Sequence, residues 1–247
     1  MIVPQPQPST ATGIVRRRIE GGGERFWRFS DFADLPPAAV AQALSRLAFA
    51  KQLRRLSRGV YYRARQTTFG DSLPNPAKLQ ELAEEKAPLF PAGIAAANLL
   101  GFTTQSASRA EVATTAASLP RKLVGEGTVV HTRRPSAWKQ LGREDAALLD
   151  FLRRAGDTSE LTQLDTTRRT LALLAADGCL SRLEAVASTE PPRVRALLGA
   201  LAEELKIEPA ALEPLRSSLN PLSRFDFGVF AGLPTARAWQ AKVVGSQ

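Results

Sequence analysis

Residues 36–65, PPAAVAQALSRLAFAKQLRRLSRGVYYRAR, admit few folds. Pro36-Pro37 starts a helix, since a proline at a first helical position forfeits only a donor that has no intrahelical partner. Val40, Ala43, Leu44 and Leu47 then recur at i, i+3, i+4 and i+7, so one face is apolar and points inward. The opposite face offers Ala39, Gln42, Ser45 and Arg46. Ser57-Arg58-Gly59 reads as the turn of a following β-hairpin, whose return strand has Val60 and Tyr62 on one face and Tyr61 and Arg63 on the other. Lys51, Arg54, Arg55, Arg58, Arg63 and Arg65 occur over residues 44–65 with no acidic residue among them, a charge pattern that suits nucleic acid.

What precedes this stretch fixes its context. Residues 10–20 read as a short helix ending in Gly21-Gly22-Gly23, and residues 25–29 alternate polar and aromatic side chains like a small strand. Ser30 is the expected N-cap of a short helix over residues 31–35. Helix, strand, short helix, longer helix and hairpin is the order of a winged helix-turn-helix, so residues 10–65 are expected to form a DNA-binding domain. The longer helix would enter the major groove while the hairpin meets phosphates. Pro37, Ala38 and Ala39 cannot donate hydrogen bonds to bases, so direct readout falls to Gln42, Ser45 and Arg46, with alanine contacts to thymine methyls. Phosphate contacts fall to Arg54, Arg55, Arg58 and Arg63. The bland alternative is a small packing module whose arginines are simply solvated.

A chain of 247 residues with a net charge of +9 implies two domains and anionic partners. No apolar run is long enough to span a bilayer, so no membrane partner is expected. Residues 1–9 read as a proline-rich, disordered tail without the pattern of a secretory signal. Cys179 is alone, which excludes an intrachain disulfide and a cysteine-cluster zinc site and suits a reducing cytoplasm.

The expected fold class is α+β, mainly helical. Residues 66–75, QTTFGDSLPN, are rich in turn formers and read as a linker. Residues 76–247 would form the second domain, with helices and a small β-element over 76–140 and helices over 141–247. Strands are expected at residues 111–115 and 128–133, and Gly101 closes a helix over 92–100 as a C-terminal cap. Helices follow at 146–154, 166–176, 181–188 and 193–205, the last with an inward stripe of Val194, Leu197, Leu198, Leu201 and Leu205.

No catalytic constellation emerges, and no enzyme activity, metal or cofactor is expected. His131 is the only histidine and reads as a structural residue in a strand. Gly21-Gly22-Gly23 lacks the Gly-Lys-Ser/Thr that closes a phosphate-binding loop. Glu84-Glu85, Glu144-Asp145 and Glu203-Glu204 are adjacent in predicted helices and are expected on solvated faces. Arg121-Lys122 and Arg133-Arg134 flank the two predicted strands and would form a second basic surface.

Four pieces also carry a family likeness: SDFADL at 30–35, ALSRL at 43–47, RGVYYRAR at 58–65 and PAGIAAANLLGFTTQ at 91–105. In order over residues 10–138, the chain resembles the AbiE-type antitoxins and their relatives, winged-helix regulators of prokaryotic type IV toxin–antitoxin systems. It departs just before the hairpin, where Ala50-Lys51-Gln52 stand and family members often carry glycine. The resemblance implies two jobs in a prokaryotic cytoplasm. The N-terminal domain would bind double-stranded DNA at inverted repeats upstream of its own operon and repress transcription. The remainder would oppose a nucleotidyltransferase-like toxin without a stable complex between the two. An orphan winged-helix regulator, and an RNA-binding protein using the same basic surfaces, are the alternatives.

Overall fold

The computed structural model describes residues 10–242, so the predicted tail over 1–9 lies outside the described residues. The Thr10 hydroxyl accepts from the Gly13 N–H and caps α1 (Ala11–Gly21). β1 (Arg25–Arg28), a 3-10 turn at Phe29–Phe32 and α2 (Pro37–Phe49) follow. Next come two hairpins, β2 (Arg54–Ser57) with β3 (Val60–Arg63) and β4 (Gln66–Thr67) with β5 (Gly70–Asp71), and then α3 (Pro76–Glu84). β6 (Leu89–Pro91), α4 (Gly93–Leu99), β7 (Glu111–Thr114), α5 (Arg121–Val124) and β8 (Val129–His131) lead into a helical stretch. That stretch comprises α6 (Arg143–Arg153), α7 (Gln163–Ala175), α8 (Cys179–Ala187), α9 (Pro192–Glu204) and α10 (Pro209–Ser217). The architecture is α+β and mainly helical, and none of the described helices is long and apolar enough to cross a membrane.

The described residues divide into two units: those up to Lys86 together with Leu119–Glu126, and those of Ala87–Ser118 together with Gly127 onward. In the first, Val40, Ala43, Leu44 and Leu47 of α2 pack with Val15, Ile19, Trp27, Phe32, Leu53 and Tyr61. Each valine, leucine, isoleucine or phenylalanine among them taken fully from water contributes about 1.5–3 kcal/mol, enough to hold a short helix that would fray alone. The sheet has the order β1-β3-β2 and is antiparallel throughout, with Trp27 opposite Tyr61 and Arg54 opposite Tyr62. Gly59 turns the hairpin at φ +76°, a left-handed conformation that an L side chain adopts only with strain.

Three local expectations are corrected here. Ser30 does not cap the short turn; the Asp31 carboxylate does, accepting from the Arg28 N–H at 2.8 Å. β3 does not alternate in burial: Tyr61 packs in the core, while on the other face Tyr62 meets the Phe26 ring and the Glu24 and Ser72 side chains, so Val60, Tyr61 and Tyr62 are all buried. Residues 66–75 are not a free linker. Their hairpin is tied back by Ser72, whose hydroxyl accepts from the Arg65 N–H at 2.8 Å and lies 3.0 Å from the Tyr62 hydroxyl. The unit then continues through α3, where Leu82 and Ala83 are buried, and is joined by α5, which packs on α3 and β2.

The second unit holds the mixed sheet β6-β7-β8, antiparallel between β6 and β7 and parallel between β7 and β8. α9 is buried continuously from Ala196 to Ala202 rather than along one stripe, because Trp239 covers a flank that the helical period leaves to solvent. Gly199 makes that approach possible: a Cβ there would lie 2.2 Å from the Trp239 ring. β6 and α10 were not expected from the sequence, the first being three residues that include a proline and the second carrying Pro214 in its interior.

Candidate nucleic-acid interface

On α2 the apolar stripe that faces the core leaves Gln42, Ser45 and Arg46 exposed and Ala39 half-buried beside them. None of the three polar side chains makes a hydrogen bond or ion pair among the described residues, so their donors and acceptors are available to an outside partner. Phe49 joins them and is 92% exposed. It follows Val40 by nine residues, about two and a half helical turns, which puts it opposite the core face and in line with Gln42. The same periodicity identifies it in the sequence. An aromatic ring there has the chemistry to meet a thymine methyl.

The hairpin sorts its arginines into two kinds. Arg54, Arg55 and Arg58 are exposed and make no side-chain hydrogen bond or ion pair among the described residues. Arg63, expected to meet phosphate, is corrected to a structural role. Its guanidinium donates to the Ile19 and Glu20 carbonyl oxygens at the C-terminus of α1, the first of which also accepts from the Gly22 N–H. The remaining basic residues of the first unit are largely spoken for. Arg18 forms a double hydrogen bond with the Asp34 carboxylate at 2.8 and 2.9 Å, and Arg28 donates to Glu85 at 2.7 Å.

The residues of the predicted second basic surface are drawn from both units. Arg121 and Lys122 are exposed in the first unit, where the Lys122 ammonium donates to the Arg55 carbonyl at 3.2 Å. Arg133 is exposed in the second unit, whereas Arg134 is corrected to a mostly buried partner of Asp150 at 2.7 Å. Burial pushes the Arg134 guanidinium below its ordinary value, and the Asp150 charge works against that shift. Asp150, wholly buried, also accepts from Arg154 and from the Gly93 N–H, both at 3.0 Å. Its guanidinium neighbours are what permit a carboxylate there.

In the same region the His131 Nε2 lies 2.8 Å from Glu111 and 2.9 Å from Arg154. No group of three or more potential ligands is placed to hold a metal among the described residues. The expectation of solvated acidic faces is corrected for two pairs. Asp145 is buried and takes a double hydrogen bond from Arg182 at 2.6 and 3.0 Å. Glu203 accepts from the Trp239 indole at 2.6 Å, and Glu204 from the Thr235 N–H at 3.1 Å. Cys179 is buried, and desolvation pushes its thiol up to about 12, which leaves it unreactive.

No protein-family model matches the chain, and no curated protein matches it. Among solved structures, the crystal structure of the RV2827C protein from Mycobacterium tuberculosis is similar at 18% identity, covering 91% of this chain and 88% of that one with a TM-score of 0.45.

Proposed function

We propose that the first unit is a winged helix that binds double-stranded DNA, and that the chain is an autoregulating repressor and the antitoxin of a type IV toxin–antitoxin system. The observation that carries the DNA-binding part is the surface of α2 and the β2–β3 hairpin. Gln42, Ser45, Arg46 and Phe49 stand outward on the helix, and Arg54, Arg55 and Arg58 stand on the hairpin without internal partners. The helix residues read base edges, while the arginines neutralise phosphates and fix the register. The antiparallel order β1-β3-β2 behind α1 and α2 supports the same reading, since it is how a wing is carried. The antitoxin part rests on the family resemblance, which implies that the second unit opposes a nucleotidyltransferase-like toxin.

The deciding experiment measures binding of the full chain to the DNA upstream of its own gene, to a scrambled duplex and to a structured RNA at several salt concentrations. Preference for the upstream duplex, with a steep salt dependence, is the expected result. Preference for the RNA overturns the DNA reading. Co-expression with a nucleotidyltransferase-like protein encoded next door tests the second job, with restored growth expected and unchanged toxicity overturning it.

A further inference from the structure

A cleft of about 310 Å³ opens in the first unit where the ends of α1 and α2 meet the two hairpins. We propose that it binds a small amphipathic anion, an apolar body carrying one carboxylate or phosphate, and that this ligand competes with DNA for Arg54. The competition rests on the DNA-binding reading above; the binding itself does not. The volume lies at the lower end of the range for small-molecule sites. Ile19, Leu47, Leu53 and Ala64 contribute an apolar lining, which a phosphate of duplex backbone has no use for.

The charges left over in the cleft define the ligand. Of the two acidic residues of the lining, Glu20 is paired with Arg16 at 2.8 Å, while Asp71 accepts from the neutral Gln66 amide at 2.6 Å and keeps its charge, so Lys51, Arg54 and Arg63 still leave the lining positive. Arg63 donates to the backbone carbonyls of α1. Lys51 and Arg54 line the same cleft with no hydrogen bond or ion pair from their side chains among the described residues. Two uncommitted cations beside an apolar lining match an anion with an apolar body. Lys51 is also fixed in place, because its backbone turns at φ +59° and its N–H donates to the Ala48 carbonyl at 3.1 Å. Its side chain therefore leaves from a defined point instead of a frayed helix end.

Calorimetric titration of the full chain without DNA tests the site, with phenyl phosphate and benzoate as probes and phenol as the uncharged comparison. Saturable binding of at least one anion with a Kd on the order of 1 mM is expected for ligands of this size. Lys51→Gln and Arg54→Gln should each weaken it at least about tenfold, and Ala64→Leu should do so by filling the space without changing charge. Arg17→Gln, an exposed change outside the cleft lining, should leave it unaltered. No saturation by either anion up to about 10 mM, phenol binding as well as the anions, or binding unmoved by both Lys51→Gln and Ala64→Leu overturns the site. Melting curves identify any variant that fails to fold, and the remaining two then carry the comparison. In a second stage the bound anion should lower affinity for the upstream duplex. Binding without that effect overturns the competition alone, whereas failure of the chain to bind any DNA defeats the functional reading and leaves the first stage standing.

Discussion

Arg63 and Arg58 lie five residues apart on one hairpin and answer to different physics. Arg63→Met removes two hydrogen bonds to the end of α1, so it should lower stability by about 1–3 kcal/mol in urea unfolding while leaving the salt slope of DNA binding unchanged. Gln42→Ala and Arg46→Ala should have the opposite profile. Unfolding should be unaffected, and affinity for the upstream duplex should fall by about 1–3 kcal/mol where the side chain pairs with a base through two hydrogen bonds, more than on random DNA. Equal weakening on both duplexes would assign these side chains to phosphate. Asp145 gives a pH test in the second unit. Hydrogen bonding from Arg182 holds its carboxyl below the ordinary 3.8, so the stabilisation is complete above that value and is lost as pH falls through the lowered one. Asp145→Asn should therefore cost about 1–3 kcal/mol at neutral pH, and the gap to the parent should close in acid. A gap that persists unchanged in acid would show that the pair's charge contributes nothing.

Among the elements, α2 was legible because its apolar residues keep a helical period, and the β2–β3 hairpin because Gly59 marks its turn. Burial of both faces of β3 was not, since Val60, Tyr61 and Tyr62 suit a half-exposed strand equally well, and the groups that cover Tyr62, the Phe26 ring and the Glu24 and Ser72 side chains, come from elsewhere in the chain. The outer face of α2 could be read from spacing alone, Phe49 included. The commitment of Arg63 could not, because its acceptors lie more than forty residues earlier in the chain. Removing Arg63 from the phosphate set alters what the hairpin should do. Joint replacement of Arg54, Arg55 and Arg58 by alanine should reduce the salt slope of log affinity by about 0.9 for each phosphate no longer neutralised, on every duplex alike. An unaltered slope in a folded triple variant would exclude the hairpin from the interface.

At the scale of the molecule, the sequence suggested two packed parts but misplaced where the first one ends. Residues 66–75 have a linker's composition, yet a serine hydroxyl and a tyrosine hydroxyl bind them to the sheet. The return of the chain at Leu119–Glu126 leaves no local signal, since α5 is only four residues long. Leu123 on that helix is 2% exposed, so Leu123→Ala should destabilise the first unit by about 2–4 kcal/mol, seen as earlier unfolding in urea of a fluorescence signal from Trp27 in that unit. No change would show that the first unit does not need this return.

That return also sets an order of events during synthesis. A ribosome that has passed Lys86 has not yet made the last helix of the unit, and domains normally consolidate as their chain emerges. By that rule consolidation should wait until Leu119–Glu126 is out, about half of the chain, by which point Ala87–Ser118 has emerged without most of its own unit. Nascent chains arrested before that point would carry every residue of the proposed DNA-binding surface and still lack the packing of α5 against α3 and β2.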